Sequence, residues 1–274
     1  MKRQSKICAL IRRAVVAVLC AVSVLSMVGV APAEERQKSI FQPVLAKNGM
    51  VSAQEAVATR IGVEVLRKGG NAIDAAVAVG FALAVTLPRA GNLGGGGFMI
   101  VHEAKTGQTH AIDYRETAPA GATRNMFLDE NGEYDRRKAV GTHFSAGVPG
   151  TVAGLAMALE RFGTMSLAEL IRPAQQLARE GIEVSPGLRE SLTPRRRDKL
   201  VKWPASRNVF FKRDGTLFDV GERWRQPDLA ATLELIAEEG PSAFYTGEIA
   251  EKLARDIEKH GGLITRDDLA SYRP

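Results

Sequence analysis

The chain has 274 residues, 45% of them hydrophobic and 25% charged, with a formal net charge of +6. That length suits one large domain with a real core, or two small ones. The charge does not indicate nucleic acid. Five of the 37 basic residues (Lys2, Arg3, Lys6, Arg12 and Arg13) lie in the first 33, which hold no acid, so the rest sets 32 basic against 31 acidic side chains.

Residues 1–33 read as a secretory signal peptide. A basic segment precedes "AVVAVLCAVSVLSMVGV", and "APA" at Ala31–Ala33 has the small-residue form of a cleavage site. An uncleaved anchor is the competing reading, but Ser23, Ser26 and Gly29 dilute the apolar run. A lipid anchor on Cys20 is disfavoured because "AVLC" lacks the leucine usual three residues before a lipidated cysteine. Both cysteines, Cys8 and Cys20, fall inside this leader. The mature chain, 34–274, is then expected to have no disulfide framework, no thiolate nucleophile and no cysteine-bound metal. The expectation is an exported protein of a bacterial envelope, most simply periplasmic, that meets a membrane only if the leader is retained.

Beyond the leader, Ser52 and Glu55 have capping-box spacing, and Ala53, Val57, Ile61 and Val65 recur every four residues, which predicts a helix stopped by Gly69-Gly70. Asn71 then caps a second helix with Asp74 in its first turn. Its run "AAVAVGFALAV" is too short to span a bilayer and predicts burial on nearly all sides, up to Pro88. "FMIVHE" and "THAIDY" flank "AKTGQ" as a hairpin whose second strand ends at Tyr114. Helices follow at 151–162, 173–180, 227–239 and about 248–259, and Thr265 with Asp268 starts a last capped segment. The stretch 193–203, with Pro194 and "RRR" and with Pro204 directly after it, reads as an exposed loop.

The most conspicuous local feature is "GNLGGGGFMI", residues 91–100. A phosphate loop runs from strand through glycines into a helix, whereas here the order is helix, glycines, strand; no Lys-Ser/Thr follows, and Met99 breaks the G-x-G-x-x-G spacing. Close packing of two layers is the simpler reading. Ser145 in "HFSAG" falls short of a nucleophile elbow, since His143 stands where the first glycine belongs and Pro149-Gly150 precede the next helix. His102, His110, His143 and His260 show no metal-ligand spacing, so no metal site is expected. Arg115 lies at a strand end directly before Glu116. A forked grip on a small carboxylate and an ion pair on the rim are equally compatible with that spacing.

Four long segments in order decide more than any short motif. "GNLGGGGFMIVHEAKTGQTHAIDYRETAPA", "GVPGTVAGLAMALERFGTM", "PDLAATLELIAEEGPSAFYTGEIAEKLA" and "GGLITRDDLASY" resemble consecutive blocks of the gamma-glutamyltransferases, a likeness running from about Asn48 to Pro274. The resemblance implies an α+β N-terminal nucleophile hydrolase, a four-layer αββα sandwich. Such a protein is made as a precursor that cuts itself into a large and a small subunit. The threonine exposed by the cut is the nucleophile, and its own α-amino group is the base. The family attacks the γ-glutamyl amide of glutathione and other γ-glutamyl compounds, then passes the acyl group to water or to an amino-acid or peptide acceptor. It implies no metal, no organic cofactor and no nucleic acid.

Carried onto this chain, Arg115 in "DYRETAPA" matches the arginine that holds the α-carboxylate of the γ-glutamyl group, which favours the binding role. Gly94, Gly95, Gly96, Gly97 and Glu116 are then expected to shape the pocket wall. No catalytic residue is expected in this chain. The threonine, the oxyanion-hole glycines and the residues that hold the substrate amino group belong to the small subunit, beyond Pro274, so 34–274 corresponds to the N-terminal portion of the large subunit and is expected to be inactive alone. Two alternatives remain: a related acylase, such as a cephalosporin acylase or a capsule-polyglutamate enzyme, or a truncated, non-catalytic remnant.

Overall fold

The computed structural model describes residues 44–274. The expected leader, 1–33, lies outside the described residues. Residues 49–274 form one of the two compact units of the chain, and the elements below belong to it.

The unit is organised around one apolar helix. Helix α1 (Ala56–Arg67) leads through a glycine turn into α2 (Ala72–Thr86), which buries Ala75, Val77, Ala78, Phe81, Ala82 and Val85 among others. The capping box read from Asn71 and Asp74 is present: Asn71 Oδ1 accepts from the Ile73 and Asp74 N–H groups, and Asp74 Oδ2 accepts from the Asn71 N–H at 2.7 Å. Asp74 does more than cap. Its carboxylate, fully buried, also accepts from Thr164 Oγ1 (2.6 Å) and from the Thr164 and Met165 N–H groups. Burial would raise its pKa, but these bonds together hold it below the usual carboxylate range.

Strand β1 (Phe98–Glu103) pairs antiparallel with β2 (Gln108–Asp113), Phe98 opposite Asp113 and Glu103 opposite Gln108. Gly107, at φ +71°, makes the loop between them. The ladder outlasts the strands by one pair, because Gly97 and Tyr114 exchange both backbone hydrogen bonds. A short helix α3 (Arg136–Ala139) and a 3₁₀ turn (His143–Ser145) lead to α4 (Thr151–Phe162) and α5 (Leu167–Glu180). Three further short helices are α6 (Pro186–Ser191), α7 (Pro194–Leu200) and α8 (Pro204–Phe210). Ile182–Glu183 (β3) pairs with Arg223–Trp224 (β4), and the chain continues through α9 (Pro227–Glu239), α10 (Pro241–Tyr245), α11 (Glu248–Lys259) and α12 (Arg266–Ser271). Helix α2 packs on α1, α4 and α5, and α5 packs in turn on α9. The architecture is therefore α+β, a helical stack beside a two-stranded hairpin.

Three local expectations need correction. Helix α1 starts at Ala56, not at a Ser52 box, because Glu55 itself is the cap: its carboxylate accepts from the Ala58 N–H at 2.8 Å. Val51 instead packs beside Gly62, at the junction with Val79 of α2. Helix α5 begins six residues before Pro173. Ser166 and Glu169 form a reciprocal capping box, and the buried stripe Leu170, Ile171, Ala174 and Ala178 carries the helix through the proline. The loop expected at 193–203 is largely helical, with Pro194 and Pro204 each opening a short helix at its first turn.

Candidate functional site

Arg115 sits one residue past the Gly97–Tyr114 pair, where β2 leaves the hairpin. Its backbone is fixed from both sides. The Arg115 N–H donates to Asp113 Oδ1 at 3.0 Å, and its carbonyl accepts from Tyr272 Oη at 2.9 Å. Tyr272 follows α12 and stacks on Tyr245, ring centroids 5.7 Å apart at 11°. Tyr245 Oη donates to the Pro149 carbonyl and accepts from the Ala153 N–H, which anchors the stack to the start of α4. Burial raises the Tyr272 pKa, and the nearby carboxylates of Asp113 and Glu116 raise it further, so its hydroxyl keeps its proton.

The Arg115 side chain points outward. Nε donates to Glu116 Oε2 at 3.1 Å, and Cζ lies 5.8 Å from the centre of the exposed Phe98 ring. The ion pair read as one option thus exists, but it uses only the inner nitrogen. Among the described residues neither terminal nitrogen makes a hydrogen bond, which leaves the two-pronged outer edge of the guanidinium open to an incoming carboxylate. Glu116 orients that edge.

The four glycines have different neighbours. Gly94 is exposed, and a side chain there would meet open space. Gly95 is buried, and its carbonyl accepts from the N–H groups of Gly150 (2.7 Å) and Thr151 (3.0 Å) at the start of α4. Three N–H groups at the start of α4 are thus already engaged, two by the Gly95 carbonyl and one by Tyr245 Oη, which argues against a phosphate cradle there. Gly96 faces the 114–116 backbone; a Cβ would collide with the Tyr114 carbonyl and come within 2.8 Å of the Glu116 nitrogen. Gly97 faces the Tyr114 ring, whose other flank meets Gly154 of α4. What approaches Gly96 and Gly97 is the stretch of the chain that carries Arg115, and what approaches Gly95 is the start of α4.

Two features escaped sequence reading. Asp268 Oδ1 accepts from the Ala120 N–H at 2.7 Å while its other oxygen caps α12, tying the segment after Arg115 to the helix before Tyr272. The expectation of unrelated histidines is also corrected. His143 and His260, 117 positions apart in the sequence, stack at 4.5 Å and share the carboxylate of Asp256. Folding supplies that proximity, and sequence spacing carries no trace of it. Ser145 donates to the Thr142 carbonyl, and its neighbour His143 faces Asp256, so "HFSAG" assembles no serine–histidine pair.

The family model for gamma-glutamyltranspeptidase matches residues 58–274. The chain belongs to that family. Among its relatives, the glutathione hydrolase proenzyme of Escherichia coli (strain K12) is 47% identical over 267 residues, 96% of this chain and 46% of that protein. The crystal structure of Helicobacter pylori gamma-glutamyltranspeptidase matches with a TM-score of 0.82 at 44% identity, covering 85% of this chain and 66% of the other. A cephalosporin acylase from Bacillus halodurans matches with a TM-score of 0.74 at 31% identity, over 89% of this chain and 45% of the other. The chain spans about half, or less, of the length of the curated relatives it matches.

Proposed function

We propose that this chain is the N-terminal portion of the large subunit of an exported γ-glutamyl hydrolase and transferase, and that Arg115 binds the α-carboxylate of its substrate. The observation that carries the reading is the open outer edge of the Arg115 guanidinium, presented on a backbone pinned by Asp113 and Tyr272. Family membership supplies the reaction class. Glutathione or another γ-glutamyl amide is attacked by a threonine freed by self-cleavage, and the γ-glutamyl ester passes to water or to an amino acid. Since that threonine belongs to a small subunit outside this chain, the chain by itself is inactive. Gly94 and Glu116 border the acyl pocket.

The hairpin is the docking face for that small subunit and becomes part of the sandwich when it is covered. In support, Phe98 and Ile100 stand 63% and 68% exposed on one face of β1, and each strand keeps one edge without a strand partner among the described residues. The test is kinetic. In the complete enzyme, Arg115→Ala should raise KM for a γ-glutamyl amide about ten- to a hundredfold, the equivalent of a charge-assisted hydrogen bond worth ~1.5–3 kcal/mol. Arg115→Lys should recover only part of it, since an ammonium lacks the fork. An unchanged KM would remove Arg115 from the site.

Likeness to the cephalosporin acylase supports a second reading, a different acyl group on the same fold. Competition between a γ-glutamyl amide and an acyl cephalosporin separates the two, because an α-carboxylate grip favours the first.

A further inference from the structure

We propose that His143, Asp256 and His260 bind a divalent transition-metal cation of the zinc class, at a site separate from Arg115. Asp256 and His260 stand one turn apart at the end of α11, and the 3₁₀ turn delivers His143 to them. The carboxylate bridges the two rings: Oδ2 lies 3.3 Å from His143 Nε2, and Oδ1 lies 3.3 Å from His260 Nδ1. Metal–ligand bonds of 2.0–2.1 Å in a tetrahedron put ligand atoms about 3.3 Å apart, and each ring nitrogen lies at that separation from its own oxygen of the carboxylate. One donor atom from each of the three side chains lies within 4.8 Å of the others.

Two imidazoles and one carboxylate suit Zn²⁺, Co²⁺ or Ni²⁺, whereas Mg²⁺ and Ca²⁺ prefer oxygen throughout. Trp203 holds both rings edge-on, at 5.0 Å from His143 and 5.7 Å from His260, which limits their rotation. The cluster lines an open cavity of about 620 Å³ with Trp203, Ser206 and Lys259. An ion therefore has an entry path and room for water as a fourth ligand.

Three features weaken the site. His143 Nδ1 is buried without a hydrogen-bond partner, so coordination through Nε2 leaves an unpaired N–H there. His260 Nδ1 also lies 2.8 Å from the Asp256 carbonyl, and metal binding through that nitrogen must replace the bond. The ammonium of Lys259 shares the cavity and opposes a second cation. Affinity is accordingly expected well below that of a structural zinc site. Without a metal, the same contacts would serve only to dock the turn on α11.

The test is Zn²⁺ titration of the full-length protein, prepared without a polyhistidine tag, with X-ray absorption of the loaded form. One zinc per chain is expected, coordinated by two imidazoles at about 2.0 Å. His143→Ala, Asp256→Asn and His260→Ala should each weaken binding more than about tenfold, since even partners outside the metal's own ligands contribute 10–100-fold. Replacing His102 and His110 should leave binding unchanged. Failure to bind zinc, binding indifferent to His260→Ala, or a shell with fewer than two imidazoles would overturn the proposal. The absorption result stands on the wild-type protein and does not depend on any variant folding.

Discussion

Helix α2 and the β1–β2 hairpin, next to each other in sequence, meet the need to bury apolar surface in opposite ways. Helix α2 is enclosed by α1, α4 and α5, and even its one carboxylate, Asp74, is buried with its hydrogen bonds satisfied inside the chain. The hairpin buries Val101 and Ile112 on one face and leaves Phe98 and Ile100 outward on the other. The first region is closed within the chain, whereas the second leaves apolar side chains exposed. The residue proposed to grip substrate stands at the border, on the exposed strand but anchored by tyrosines that belong to the buried side.

If that contrast holds, the largest loss of stability comes from the enclosed helix. Phe81→Ala should cost about 3–5 kcal/mol in urea unfolding, because a fully buried ring leaves a cavity. A loss below about 1 kcal/mol would mean the stack is loosely packed.

Gly96→Ala probes the border. A methyl group has no room against the Tyr114 carbonyl, so about 1–3 kcal/mol of overpacking strain is expected. The displaced 114–116 backbone should also raise KM in the complete enzyme. A variant of normal stability and normal KM would separate the glycines from the positioning of Arg115.

Acid sharpens the comparison through Asp74 and Asp268. Burial raises both pKa values, but hydrogen bonds more than offset it, so both lie below the usual carboxylate range when folded. A carboxyl depressed by folding adds stability that is complete above its unfolded pKa and is lost as pH falls through the folded one. Unfolding monitored below about pH 4 should therefore be steeper for the wild type than for Asp74→Asn. Parallel curves would show that Asp74 carries no linkage.

The smallest effect belongs to the outward face. Ile100→Ser should change the stability of this chain by no more than about 0.5 kcal/mol, while weakening association with the small subunit proposed above. A large loss of stability would mean that the face is already covered within the chain.

Helix signals written into neighbouring residues were legible directly. The Asn71–Asp74 and Thr265–Asp268 capping boxes, and the bounds Thr151–Phe162, Pro227–Glu239 and Glu248–Lys259, follow from caps, glycine stops and apolar spacing, all local properties of the chain. Pro173 misled because a proline is tolerated inside a helix whose buried face and capping box outweigh one lost N–H, and that sum includes packing on α2 and α9. The four segments pointed to the family, which the family model matches, and Arg115 enters as the proposed carboxylate grip. What the glycines face, which atoms pin Arg115, and the meeting of His143 with His260 were decided only by tertiary structure. Each depends on contacts between segments distant in sequence, and local spacing cannot encode which distant surface a side chain will meet.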